Sequence, residues 1–176
     1  HWLTMRAEGN FGLTMTCASH VQENGQGFPG QLGIYSDDLL VGHRRLAKAI
    51  QAHGSLAVIQ LHHAGMRSPA DLIGGVPVSP SAQKESGARA LSTAEVQQLR
   101  DDFIRAAKRS KQAGYDGVEI HGAHGYILCQ FLSPQHNRRK DEYGGSLQNR
   151  ARIFYEITDG VRRECGSEFL IGVRLS

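Results

Sequence analysis

Two hydrophobic patterns alternate along the chain. Short runs of adjacent apolar residues fall at 12–16, 56–61, 117–120 and 169–175. Runs of that length, bounded by glycine and polar residues, predict buried strands. Between them, apolar residues recur at three- and four-residue steps. One such stretch begins at Ser36-Asp37-Asp38, where acidic side chains suit the free N–H groups of a first helical turn. It carries Leu39, Leu46, Ala47 and Ile50 toward one face and stops at His53-Gly54. A second starts at Ser92-Thr-Ala-Glu95, a capping box, continues through Val96, Leu99, Phe103 and Ala107, and ends at Gly114. A third is short, over 126–132, closed by Ser133-Pro134. A fourth opens at Gly144-Gly145-Ser146, places Ala151, Phe154, Ile157 and Val161 on one side, and ends at Gly166. Residues 19–33 are polar and Gly-rich. Residues 62–91, with three prolines, read as a loop.

Strands apolar along their whole length, alternating with helices, predict a parallel sheet covered by helices. An open doubly wound sheet and a TIM barrel both satisfy that pattern. Composition narrows the class. The chain has 176 residues, 40% hydrophobic and 21% charged, with a net charge of +3 and both signs interspersed. That balance gives no argument for nucleic acid or a membrane surface, and no apolar run is long enough to cross a bilayer. Cys17, Cys129 and Cys165 are far apart and odd in number, so a reducing cytoplasm is the expectation. The opening His1-Trp-Leu-Thr-Met-Arg resembles neither a signal peptide nor a natural start, so a segment of a longer protein is expected.

Polar residues gather where strands end. Thr16 and Cys17 are placed at the end of the first strand, Gln60 near the end of the second, His121 after the third and Arg174 near the end of the fourth. In a parallel α/β fold these ends open on one face, and neighbouring strands lie about 4.8 Å apart. An amide, an imidazole and a guanidinium there can converge on one small molecule. Polar strand ends without function are the alternative.

His121-Gly-Ala-His124-Gly-Tyr126 places two imidazoles and a phenol within six residues, enough for two hydrogen-bond donors and a proton donor. Zinc is the rival use. The three-residue spacing, the glycines and the missing Glu depart from a zincin helix. A structural role for the histidines is the third reading. Gly25-Gln-Gly-Phe-Pro-Gly30 matches G-x-G-x-x-G literally, but it joins no strand directly to a helix and carries Pro29 inside, so it is not read as a dinucleotide fingerprint. His62-His63 is ambiguous on composition alone.

His121-Gly-Ala-His-Gly-Tyr-Ile-Leu-Cys-Gln-Phe-Leu-Ser-Pro134, followed by Asn137-Arg138, Asp141-Glu-Tyr-Gly-Gly-Ser146 and Asn149-Arg150, resembles the Old Yellow Enzyme family of FMN-dependent oxidoreductases. Gln60-Leu-His-His-Ala-Gly65 and Val173-Arg-Leu-Ser176 resemble two further family stretches. The resemblance implies an α/β (β/α)8 TIM barrel with FMN at its C-terminal mouth. Residues 1–176 would form a partial FMN-binding domain, roughly the second to fifth strands, because a whole barrel takes about 250 residues. It implies that Gln60 binds the pyrimidine side of the flavin, Arg174 lies near N1 and the C2 carbonyl, and Ala18 packs against the ring. His121 and His124 match the pair that holds a substrate carbonyl or nitro oxygen, and Tyr126 matches the proton donor. The implied reaction reduces FMN with NADH or NADPH and passes hydride from flavin N5 to an electron-poor alkene. One departure stands out: the usual Ala-Gly-Arg reads Ala64-Gly65-Met66-Arg67, so no role is carried over to the arginine. Two other readings stay open: a metal-dependent barrel hydrolase using His121 and His124, and an inactive half-barrel or binding module. Homo-oligomerisation is open as well.

Overall fold

The computed structural model describes residues 1–176. In chain order the elements are α1 (Trp2–Glu8), β1 (Leu13–His20), α2 (Leu40–Gln51), β2 (Leu56–His62), α3 (Ala70–Ile73), β3 (Val78–Ser79), β4 (Arg89–Ala90) and α4 (Thr93–Gln112). They continue with β5 (Gly117–Gly122), α5 (Ile127–Leu132), α6 (Leu147–Cys165) and β6 (Leu170–Leu175).

The main sheet has the order β1-β2-β5-β6, every pair parallel. Spatial order follows chain order throughout. A doubly wound sheet would reverse direction partway across. The helices also pack on one face. Ala57, Ile59, Leu61, Val118 and Ile120 point into a core shared with Ala47 and Ile50 of α2, Leu99 and Phe103 of α4, and Ile153, Ile157 and Val161 of α6. Residues of opposite parity, such as Gln60, Glu119 and Arg174, lie outside that core. Sequential parallel strands with helices on one side form an arc of a (β/α)8 barrel, with the other face turned to the barrel interior. The two architectures that the sequence leaves open are separated by this topology.

Helix termini follow the local chemistry. Ser92 and Glu95 form the expected reciprocal box, Glu95 N–H donating to Ser92 Oγ at 3.2 Å and Ser92 N–H to Glu95 Oε2 at 2.8 Å. Ser146 caps α6 by accepting from Asn149 N–H.

Three expectations change. Thr16 and Cys17 do not end the first strand, which runs on to His20. The register with β2 slips between Met15 and Ala18, so these two residues form a bulge. The buried face of α2 is Leu40, His43, Ala47 and Ile50, not a stripe through Leu39. His43 enters the core because both ring nitrogens are satisfied: Nε2 donates to Gly33 O at 2.8 Å, and Nδ1 accepts from the Tyr115 hydroxyl at 3.0 Å. The 62–91 loop holds a 3-10 turn at Gly65–Arg67, the single turn of α3 and the two-residue pairing of β3 with β4. Elements that short leave no periodicity to read.

Candidate active site

The site is built in two layers on the concave face of the sheet. Cα partners run Ala18 to Gln60, Gln60 to Glu119, and Glu119 to Gly172, one row crossing all four strands. Two residues further along, on the same face because strand side chains alternate, His20 pairs with His62 and His121 with Arg174. The His62 and His121 rings close the gap in this second row, with centroids 5.5 Å apart. The bulge is what aligns Ala18 with Gln60. Thr16 Oγ plugs it, donating to Cys17 O at 2.9 Å and accepting from Gln60 N–H at 3.3 Å. The predicted Ala18, Gln60, His121 and Arg174 therefore share one surface. Thr16 is buried beneath it as a support, and Cys17 is exposed.

After β5 the chain turns sharply. His124 has φ +58 and Gly125 φ +69. A non-glycine residue in the left-handed region costs on the order of 1 kcal/mol. The double left-handed turn folds the chain back, so Tyr126 lies 5.3 Å from the His121 ring and His124 lies 5.2 Å from it, edge-on. His121 is buried, His124 exposed and Tyr126 half-buried, so the three rings step from the barrel floor to its rim.

Several contacts hold this turn. The Arg67 guanidinium sits 5.3 Å from the Tyr126 ring centroid, and its Nη1 donates to His124 O at 2.7 Å. Arg67 is one place late in the motif, yet the Gly65–Arg67 turn delivers it to the loop. Gln130, fully buried, stitches the same two segments: its Nε2 donates to Gly125 O at 2.8 Å and Ala64 O at 3.3 Å, and Met66 N–H donates to its Oε1 at 3.3 Å. Ile127 N–H donates to His63 O at 3.0 Å. His63 is structural, bonded to Gly65 N–H and Gln22 Oε1. The Gly25–Gly30 stretch is a loop that helps to anchor Gln31, through the Gly27 N–H.

Burial sets the charge state of the floor. The His121 pKa is lowered to about 4, first by burial and then by the charges of His124 and Arg174. His62 is lowered to about 3, again first by burial. Both rings are neutral at neutral pH. His121 makes no side-chain hydrogen bond, and its Nδ1 is enclosed without a partner. A buried polar atom left unpaired is costly, so this ring suits a hydrogen-bonding ligand. An amide, two imidazoles, a guanidinium and a small alanine on one concave face fit a flat, polar-edged ring and an oxygen acceptor. No three His, Cys, Asp or Glu side chains cluster as metal ligands. Three contributors escaped the sequence reading: Glu119, Gln31 and Gln130. Only the position of Glu119, two before His121 on the same strand face, could have signalled a role.

The sequence profile of the NADH:flavin oxidoreductase / NADH oxidase family matches residues 1–176. The chain belongs to this family. An NADPH dehydrogenase of Geobacillus sp. (strain WCH70) is 43% identical over 161 residues, covering 89% of this chain and 46% of that protein. 12-Oxophytodienoate reductase 1 of Oryza sativa subsp. japonica is 40% identical over 176 residues, covering 94% of this chain and 46% of that protein. The solved structure of the old yellow enzyme homologue from Zymomonas mobilis superposes with a TM-score of 0.89 at 34% identity, over 98% of this chain and 52% of that one. The chain thus spans about half the length of the relatives it matches. The Old Yellow Enzyme resemblance and the barrel fold both hold, and the family's flavin is FMN with NADH or NADPH as reductant. No helix is long and apolar enough to cross a membrane.

Proposed function

We propose that the protein carrying this segment is an FMN-dependent ene-reductase and that its four strands form the FMN-facing arc of a closed barrel. The observation that carries this reading is the convergence of Tyr126, His121 and His124 on one edge of the concave face, above the Ala18–Gln60 row. When bound, FMN supplies the two-electron relay, taking hydride from NADH or NADPH and giving it to an electron-poor C=C bond. The chain's own groups do the rest. Gln60 and Ala18 would seat the ring, and Arg174 would supply a fixed cation beside it that favours a negatively charged edge. His121 and His124 would hold the carbonyl or nitro oxygen of the substrate as negative charge grows on it. A neutral His121 suits that task as a hydrogen-bond donor that does not give up its proton. Tyr126 would deliver the phenolic proton to the α-carbon.

The test is spectroscopic. The protein with its complete barrel should purify yellow, lose its flavin colour with NADH or NADPH under anaerobic conditions, and regain it on addition of an α,β-unsaturated ketone. A well-folded, colourless protein that cannot be reconstituted with FMN would end this reading.

A further inference from the structure

Glu119 occupies the centre of the Ala18, Gln60, Glu119, Gly172 row, on the concave face. It is half-buried and pairs with no lysine, arginine or histidine. Its one side-chain hydrogen bond is accepted from Gln60 Nε2, at 2.6 Å. A carboxylate can only accept, so Gln60 must turn its nitrogen toward Glu119. Bonds to a charged acceptor are also shorter and stronger than neutral ones. The Gln60 backbone is pinned too, through its N–H bond to Thr16 Oγ. What remains is Gln60 Oε1, which has no protein partner and is not enclosed.

We propose that Glu119 is a positioning residue that sets the orientation of the Gln60 amide and so presents the amide oxygen, as an acceptor, to the flavin. The inference rests on the FMN reading above. A free side-chain amide has two orientations, one offering an acceptor and the other a donor. The pyrimidine edge of a flavin carries an imide N–H between two carbonyl groups. Only an acceptor can pair with that N–H, and a misoriented amide would set its own N–H against it. Glu119 removes the wrong orientation before the cofactor arrives, which is preorganisation of the binding groups. The same carboxylate places a negative charge two residues before His121, which is the register partner of Arg174.

The test titrates FMN into the apo form of the protein with its complete barrel, following flavin fluorescence. The set is wild type, Glu119→Gln, Gln60→Ala and the double variant. Each single change should weaken FMN binding by roughly tenfold, the worth of one hydrogen bond. The double variant should bind no more weakly than Gln60→Ala alone, because Glu119 acts through Gln60. The midpoint potential of the bound flavin should rise in Glu119→Gln, which a packing role for so isosteric a swap would not produce. Additive losses, or wild-type affinity and potential in Glu119→Gln, would overturn the proposal. In the wild type, 3-methyl-FMN lacks the imide N–H and should bind at least about tenfold more weakly than FMN. Equal binding of the two flavins would overturn the assignment of the amide oxygen even if a variant failed to fold. A wild-type protein that takes up neither flavin would remove the FMN reading itself.

Discussion

Gln31 donates from Nε2 to His62 Nδ1 at 3.0 Å, and this bond decides where His62 carries its proton. The Gln31 amide cannot flip: its Oε1 accepts from Gly27 N–H at 2.6 Å, and its Nε2 also donates to Ala18 O at 2.8 Å. Nδ1 of His62 is therefore the acceptor and Nε2 bears the hydrogen. The ring so fixed stands edge-to-face with Tyr126, centroids 4.3 Å apart. One glutamine thus ties the backbone of Ala18 to the neighbour of Tyr126. Gln31→Leu should destabilise the protein by roughly 1–3 kcal/mol, since it strands buried polar groups. Urea unfolding measures the loss. Nitrogen-15 NMR of the wild type should show His62 in the Nε2–H form, and an Nδ1–H ring would contradict the assignment.

The buried histidines make stability depend on pH. His62 and His63 titrate near 3 in the folded protein and His121 near 4, chiefly through burial, against an ordinary value of 6.5. Between those values the unfolded chain binds more protons than the folded one. Stability is therefore full above the ordinary histidine value and falls as pH drops through it, by up to about 1.4 kcal/mol per pH unit for each such ring. Glu95 and Asp141 have pKa values lowered to about 2, so their contribution is lost only at lower pH, below the ordinary carboxylate range. Unfolding midpoints should already decline between pH about 7 and about 5. A flat profile there would show that these rings are not kept neutral.

Tyr126→Phe keeps the ring against His62 and Arg67 and removes only the phenolic hydroxyl. Reduction of the flavin by NADH or NADPH should stay near wild type. Reduction of an enone should slow by roughly 10²–10⁴-fold, the usual worth of a general acid. Stopped-flow measurement of the two half-reactions separates them. Enone reduction at the wild-type rate would mean that another group gives the proton.

Gly65→Ala should strain the seam where Gln130 joins the 64–66 segment to Gly125. Gly65 has φ +64, and a Cβ there would lie 2.6 Å from Gln130 Oε1 and 2.8 Å from its Nε2. The backbone strain alone costs roughly 1–3 kcal/mol, and the displaced amide would release Gly125 O beside Tyr126. Lower thermal stability together with slower enone reduction is the expected outcome. Unchanged values of both would show that the seam is slack.

Arg67→Met should act on the same loop from outside. It removes the cation beside the Tyr126 ring and the donor to His124 O. A cation–π contact at an exposed site is worth about 0.5–1 kcal/mol, so stability should change little. The effect should appear in the oxidative half-reaction, with flavin reduction spared. Equal slowing of both half-reactions would argue against a role confined to this loop.

The linear chain carries whatever depends on neighbouring residues. The capping box Ser92–Glu95, the Ser146 cap and the apolar strand runs are local chemistry, and the structure realises each. The His121-Gly-Ala-His124-Gly-Tyr126 cluster is legible for the same reason: its members are bound into one turn by covalent connectivity. Register, by contrast, is a property of pairs of strands. The bulge at Thr16–Cys17 that brings Ala18 beside Gln60 leaves no trace in hydrophobic pattern, because one extra residue changes alignment without changing composition. His43, His62 and His63 look alike as imidazoles in a sequence. Only packing tells that one is satisfied in the core, one is fixed in a single tautomer and one ties a loop. Gln31, Gln130 and Glu119 act on partners 31, 64 and 59 residues away. A hydrogen bond reaches about 3 Å in space whatever the separation along the chain, so those partnerships exist only once the barrel arc has closed the distance.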